Sequence, residues 1–173
     1  MKQEKITAII NEMLDLLYEN DNEILTKEYD IHERTITHRM AMYLEPEFKE
    51  KGYVVDVEYN RMRKQHGEGD DVGNLMGKKL NWEYSGEGSS FVYPDIIVHK
   101  RDTDDNLIEI EVKMVWKNRR KESDYYKINQ YMEKLGYQHG IYIELGEIRE
   151  DCLIQFGPFK FDSQIEKEME IAK

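Results

Sequence analysis

Two β-branched runs separated by a short polar segment constrain this chain more than any other feature. Ile96-Ile97-Val98 precedes Asp102-Thr103-Asp104-Asp105-Asn106, and the run from Leu107 to Trp116 follows. Such runs suit strands, and the Asp/Asn/Thr-rich segment suits a turn. Residues 93 to 116 are therefore predicted to form a β-hairpin. In its second strand Ile108, Ile110 and Val112 alternate with Glu109, Glu111 and Lys113. Side chains alternate between faces along a strand, so the two acids and the lysine share one side. Pairing Arg101 with Leu107 across the turn sets Asp95 opposite Lys113 and Ile97 opposite Glu111. A two-residue slip preserves this cluster, whereas a one-residue slip turns it to the other face.

Two environments fit the alternation. If the hairpin is half exposed, the odd-numbered side chains face water and a Glu–Lys pairing is unremarked. If the strands lie centrally in a sheet, acids and a lysine there carry a desolvation cost unless they are paired or bind a metal ion. Two carboxylates and a backbone carbonyl between them are hard oxygen ligands, which suit Mg²⁺ or Mn²⁺.

The 173 residues fit one domain, 1–173, long enough to bury a core. Ile6, Ile9, Ile10, Met13, Leu14, Leu16 and Leu17 fall at helical spacing over residues 3–19. A second helix is predicted from about Ile31 to Leu44, with Pro46 ending it or following soon after. Gly52 opens a strand through Val54, Val55, Val57 and Tyr59. Residues 64–90, rich in glycine, read as a long loop or flap with a short ordered piece near Leu80 to Tyr84. After the hairpin, residues 122–135 read as a helix with Tyr125, Ile128, Met132 and Leu135 on one stripe, stopped by Gly136. Strands are expected at 140–145 and 153–156, and a charged helix from Ser163. The class is α/β, with a mixed central sheet flanked by helices.

The formal net charge of −11 counts against nucleic acid when taken alone. The charge is uneven, however. Lys113, Lys117, Arg119, Arg120 and Lys121 follow one another with no intervening acid, and His99-Lys100-Arg101 is also basic. A basic edge on an acidic body is compatible with nucleic acid, and Trp116 beside it offers a ring for stacking on a base. Cys152 is the single cysteine, which excludes an internal disulfide and reads as a small packed hydrophobe. No segment is apolar enough to span a bilayer, and the N-terminus lacks the apolar core of a signal peptide, so a cytoplasmic location is expected. The histidines show no zinc spacing, the glycines no Walker loop and Ser85 no nucleophile elbow.

Pro94-Asp95, one hairpin, then Glu111-Val112-Lys113 resembles the PD-(D/E)XK nuclease superfamily. The segment stands here as PDIIVHKRDTDDNLIEIEVK. The order of helix and strand, hairpin, helix and strand over about 31–145 is also similar to that superfamily's restriction-endonuclease-like core. The resemblance implies that Asp95 and Glu111 bind Mg²⁺ or Mn²⁺ with the Val112 carbonyl, and that Lys113 is the catalytic lysine. It implies a further helical glutamate, for which Glu33 is the best match and Glu58 a lesser one. It implies polar groups on the following helix, with Asp124, Lys127 and Gln130 as candidates. The basic residues Lys117, Arg119 and Arg120 join Lys127 and Gln130 as candidate substrate contacts. The glutamine–tyrosine spacing of the exonuclease branch does not appear, since Tyr137 lies too far beyond Gln130.

The function that follows is hydrolysis of phosphodiester bonds, with DNA as substrate. A homodimer would suit the cutting of both strands from one site per chain. Two alternatives stand beside it. One is an inactive nuclease-fold domain that binds nucleic acid or a protein partner. The other is an acidic protein that mimics DNA or inhibits another system.

Overall fold

The structure, a computed structural model, describes residues 1–59, 61–63, 75–77, 79–80, 90–91, 93–117 and 121–161. Helices α1 (Gln3–Asn20) and α2 (Glu33–Lys49) come first, joined by a 3-10 turn at Asn22–Leu25. Strand β1 (Val54–Val57) follows. Short strands β2 (Arg61–Arg63) and β3 (Leu75–Gly77) pair with each other, as do β4 (Lys79–Leu80) and β5 (Ser90–Phe91). Then come β6 (Ile96–His99), β7 (Asn106–Met114), α3 (Lys121–Leu135), β8 (His139–Leu145) and β9 (Leu153–Phe156). The central sheet has five strands in the order β1-β6-β7-β8-β9. Its one parallel pair is β7 with β8, and α3 supplies the crossover that parallel neighbours need. The α/β class and mixed central sheet agree with the sequence reading. No helix among the described residues is long and apolar enough to cross a membrane.

The two faces of this sheet differ in chemistry. Ile96, Val98, Ile108, Ile110, Val112, Met114, Ile141, Ile143 and Leu145 point to one side and form the main core with α1 and α2. Both helices bury an apolar stripe there: Ile6, Ile10, Met13, Leu14 and Leu17 from α1, and Ile36, Met40, Leu44 and Phe48 from α2. Burying side chains of this size stabilises by roughly 1.5–3 kcal/mol each. The opposite face carries Asp56, Ile97, His99, Glu109, Glu111, Lys113, Tyr142 and Glu144 by strand alternation, and α3 packs against it. Gly140 permits the close approach of α3: a β-carbon there would lie 2.3 Å from Ile128 Cγ2 and 2.9 Å from Met132 Sδ.

Several expectations are corrected. Pro46 lies inside α2 rather than ending it. Its missing N–H leaves the carbonyl of Met42 without the helical donor, and Met42 is exposed, so water can serve it. The hairpin register is shifted by two residues, with Ile97 opposite Glu109 instead of Glu111. The cause is a wider turn. Lys100 N–H donates to the Asp105 carbonyl (3.0 Å), Thr103 Oγ1 bonds the Lys100 carbonyl (2.8 Å), and Asp102 takes φ +63°. An irregularity between Val98 and His99 adds to it. On α3 the fully buried tyrosine is Tyr131, while Tyr125, Met132 and Leu135 are half-buried. Within 64–90, strand pairing at 75–77, 79–80 and 90 replaces a plain loop; the remainder, with Arg119, Arg120 and the helix expected from Ser163, lies outside the described residues.

Candidate active site

The half-exposed hairpin is excluded by burial. Glu109 is 0%, Glu111 2% and Lys113 9% exposed, because α3 covers this face. Exposure rises along β7 in that order, so a line of charge runs from the closed interior toward the surface.

The two-residue register shift keeps the charged side chains together. Continued by one residue, the register sets Asp95 opposite Glu111. Asp95 Oδ2 accepts a hydrogen bond from Val112 N–H (2.8 Å). The N–H and C=O of a strand residue point to the same edge, so the Val112 carbonyl also faces β6. Asp95 thus puts a carboxylate on Val112 N–H just where the backbone pairing of β6 with β7 has ended. On the other edge, Glu58 N–H donates to the carbonyls of Pro94 (3.1 Å) and Asp95 (3.4 Å).

Lys127 of α3 is the principal partner of Glu111. Its Nζ donates to Glu111 Oε2 (2.8 Å) and stands 2.7 Å from Oε1. Lys113 Nζ lies between Glu33 Oε1 (3.4 Å) and Asp124 Oδ2 (3.5 Å). Glu33 begins α2, which packs on the opposite face, yet its carboxylate meets Lys113. Both oxygens of Glu109 are buried, and apart from the contact with the Glu111 carboxyl neither meets a hydrogen-bond donor.

Protonation follows from burial and neighbours. Burial raises the Glu111 carboxyl well above its usual range, opposed by Lys127 and assisted by Asp95 and Glu109. Burial also raises Glu109, to about 7, against the contact with Glu111 and the charge of Lys127. Glu33 and Asp124 are raised by burial, with Lys113 opposing. For Lys113, burial acts downward, but Asp124, Glu33, Asp95 and Glu111 outweigh it and raise the ammonium's pKa. For Lys127, Glu111, Asp95 and Glu109 overcome burial in the same way. Both lysines are therefore cations at neutral pH, suited to stabilising negative charge and unsuited to acting as bases.

Other candidates lie as follows. Lys117 Nζ reaches the Ile31 carbonyl (3.4 Å) and Asp30 (3.6 Å), which ties it to the entry of α2. Gln130 is half-buried and, at 100° per residue, sits on the flank of the Asp124–Lys127–Tyr131 stripe. Glu58, off the end of β1 at φ +52°, pairs with Arg34. His99 shares the face of Asp95 but is tied to Asp56 Oδ2 (2.9 Å), which Arg101 also holds through Nε (2.9 Å). Trp116 packs against the main core, its indole nitrogen buried. Sequence reasoning gave no role to Glu109 or to the Asp56–His99–Arg101 network. The alternation Glu109, Glu111, Lys113 was a signal for the first. Nothing local marked the second, which joins β1 to the far end of β6.

Among the described residues, no set of three or more His, Cys, Asp or Glu side chains has the geometry of a metal-binding cluster. The donor types at Asp95, Glu111 and the Val112 carbonyl nevertheless fit a hard divalent cation. Mg²⁺ takes few protein oxygens and keeps its waters; Glu111 Oε1 accepts no hydrogen bond, though the Lys127 ammonium stands 2.7 Å from it. Comparison with protein-family models, with curated proteins and with solved structures finds no match.

Proposed function

We propose that this chain is a metal-dependent nuclease that hydrolyses phosphodiester bonds in DNA. One observation carries the reading: Asp95, Glu111 and Lys113 adjoin one another on the buried polar face of the sheet, with ammonium groups fixed among carboxylates. A surface ion-pair array would not need such burial, and its desolvation cost calls for a use.

Asp95, Glu111 and the Val112 carbonyl would hold Mg²⁺ or Mn²⁺. Bound there, the ion would polarise the phosphoryl group and lower the pKa of a bound water. The chain's own residues do the rest. Asp95 is aimed by Val112 N–H. Lys113, held charged by Asp124, Glu33, Asp95 and Glu111, would stabilise negative charge on the phosphate as it develops. Glu33 and Asp124 position that ammonium. Action on both strands would call for a homodimer.

A binding-only domain is the competing reading, and one observation favours it: Lys127 already neutralises Glu111. A single assay separates the two. Wild type and the variants Asp95→Ala, Glu111→Ala and Lys113→Ala are incubated with single- and double-stranded DNA and RNA, with Mg²⁺, Mn²⁺ or EDTA. Metal-dependent cleavage lost in all three variants supports the nuclease. Nucleic-acid binding without cleavage under every condition overturns it in favour of binding alone.

A further inference from the structure

Glu109 has no part in the scheme above, yet it is the most deeply buried carboxylate of the site. It is 0% exposed, and apart from the contact with the Glu111 carboxyl neither oxygen meets a hydrogen-bond donor. A buried carboxylate left this way is costly. Its neighbours are otherwise committed. Asp95 accepts Val112 N–H, Glu111 holds Lys127, and Glu33 and Asp124 share Lys113.

Lys127 raises a complementary difficulty. Its Nζ lies within 2.8 Å of both oxygens of Glu111, where an incoming divalent cation must bind. Two positive charges that close in a water-poor site repel strongly. The lysine side chain is 13% exposed and α3 lies over it, so release into solvent is not the simple way out. It needs a second anion within reach. Glu109 and Glu111 are two residues apart on one face of β7, about 7 Å along the strand. The flexible lysine stem can redirect its ammonium over such a span.

We propose that Glu109 is the second seat of the Lys127 ammonium: it receives Lys127 when a divalent cation takes Glu111, and thereby sets the affinity for that cation. Glu109 is a positioning residue that acts through Lys127. The handover rests on the metal reading given above and goes beyond it by assigning the undonated carboxylate and the competing lysine to one device. In the metal-free protein Lys127 holds Glu111 in place. In the loaded protein it neutralises Glu109.

The test is calorimetric titration of Mn²⁺ into the full chain at pH 8, for wild type, Glu109→Gln, Lys127→Met and the double variant. Removing the second seat is expected to weaken Mn²⁺ binding about tenfold, and removing the competing ammonium to tighten it about tenfold. In the Lys127→Met background, Glu109→Gln is expected to change the affinity less than about twofold, because nothing remains to be handed over. Equal effects of Glu109→Gln in both backgrounds would show that Glu109 acts by its charge alone and would overturn the handover. Weaker binding in Lys127→Met would overturn it as well. The metal-free Tm of Glu109→Gln should not fall, which separates its effect from damage to the fold. If Lys127→Met does not fold, the lysine ¹⁵Nζ resonances of wild type decide: a Lys127 signal unmoved by saturating Mg²⁺ overturns the handover. Failure of wild type to bind either ion overturns the metal reading itself, a result distinct from binding with additive variants.

Discussion

Lys127 Nζ stands 2.7 and 2.8 Å from the two carboxylate oxygens of Glu111, a residue 2% exposed. The pair ties α3 to the middle of β7 in a region from which water is largely excluded. Breaking a buried ion pair by removing one partner typically costs about 3–5 kcal/mol, because the other charge is left uncompensated. Lys127→Met is therefore expected to lower the metal-free unfolding free energy by about 3 kcal/mol at pH 8. Acid should restore part of the loss, because burial has already raised the Glu111 carboxyl and protonation removes the stranded charge. Mn²⁺ should restore part of it too. Urea unfolding at pH 8 and pH 5, with and without Mn²⁺, measures all three. A loss equal at both pH values would assign the effect to packing instead.

Glu109 gives the metal-free protein a second pH dependence. Its carboxyl is raised from 4.5 to about 7 in the folded chain. A raised carboxyl stabilises the fold fully below the unfolded value, and that stabilisation is lost as pH rises through the folded value. The window therefore runs from about 4.5 to 7, and two to three pKa units correspond to about 3 kcal/mol. Glu33, Asp124 and Glu111 are shifted in the same direction and add to the trend. Glu109→Gln, neutral at every pH, is expected to be more stable than wild type above pH 7, with the gap closing toward pH 4.5. Denaturant midpoints across that range test it, and a gap independent of pH would contradict it.

Asp56 has the opposite sign. Burial pushes its carboxyl up, but the hydrogen bonds from His99 and Arg101 and the charge of Arg101 outweigh burial and hold it down at about 2. A depressed carboxyl contributes stability above its unfolded value of 3.8, and loses it as pH falls toward 2. Allowing for solvent screening, the contribution is about 1–2 kcal/mol. Asp56→Asn should be less stable than wild type at pH 6, and the difference should shrink between pH 4 and pH 2. Thermal unfolding in that interval is the measurement.

Much of the site was legible because alternation is local. The run from Glu109 to Lys113 fixed which side chains share a face, and a register error of two residues left the cluster intact, since strand faces repeat with that period. The error came from Asp102, whose positive φ and neighbouring side-chain bonds widen the turn. What lay hidden was burial. Nothing in the hairpin itself says that α3 covers the polar face; that depends on Gly140, Ile128 and Met132 meeting across elements. Pro46 was misread for a related reason: helix ends follow proline only when packing does not hold the helix together, and Leu44 and Phe48 bury on either side of it.

The dependence on Gly140 can be tested directly. A β-carbon there would stand 2.3 Å from Ile128 Cγ2 and 2.9 Å from Met132 Sδ. Overpacking of this kind costs about 1–3 kcal/mol. Relief requires α3 to move away from β8, and α3 carries both Lys127 and Asp124. Gly140→Ala is thus expected to lose stability and also to shrink the rise in Tm that Mn²⁺ produces. Gly140→Ala combined with Ile128→Leu removes the clashing β-branch methyl and should recover part of both. A variant that loses stability while keeping the full Mn²⁺ response would show that the position of α3 does not govern the site.

Lys113 separates chemistry from metal binding. It touches Glu33 and Asp124 and bonds neither Asp95 nor Glu111, the carboxylates assigned to the ion. Removing it should leave those ligands in place while withdrawing the charge meant for the phosphate. Loss of one preorganised donor to a developing anion typically costs about 10²–10³ in kcat. Lys113→Ala is expected to keep the Mn²⁺-induced rise in Tm and to cut nucleic acid about 100-fold more slowly. Asp95→Ala should lose both. The lysine's loss should appear in kcat more than in KM, because an interaction made chiefly in the transition state does not hold the ground-state substrate. Cleavage at the wild-type rate by Lys113→Ala would remove the lysine from the mechanism, and leave its ammonium as no more than the counter-ion that lets Glu33 and Asp124 approach each other.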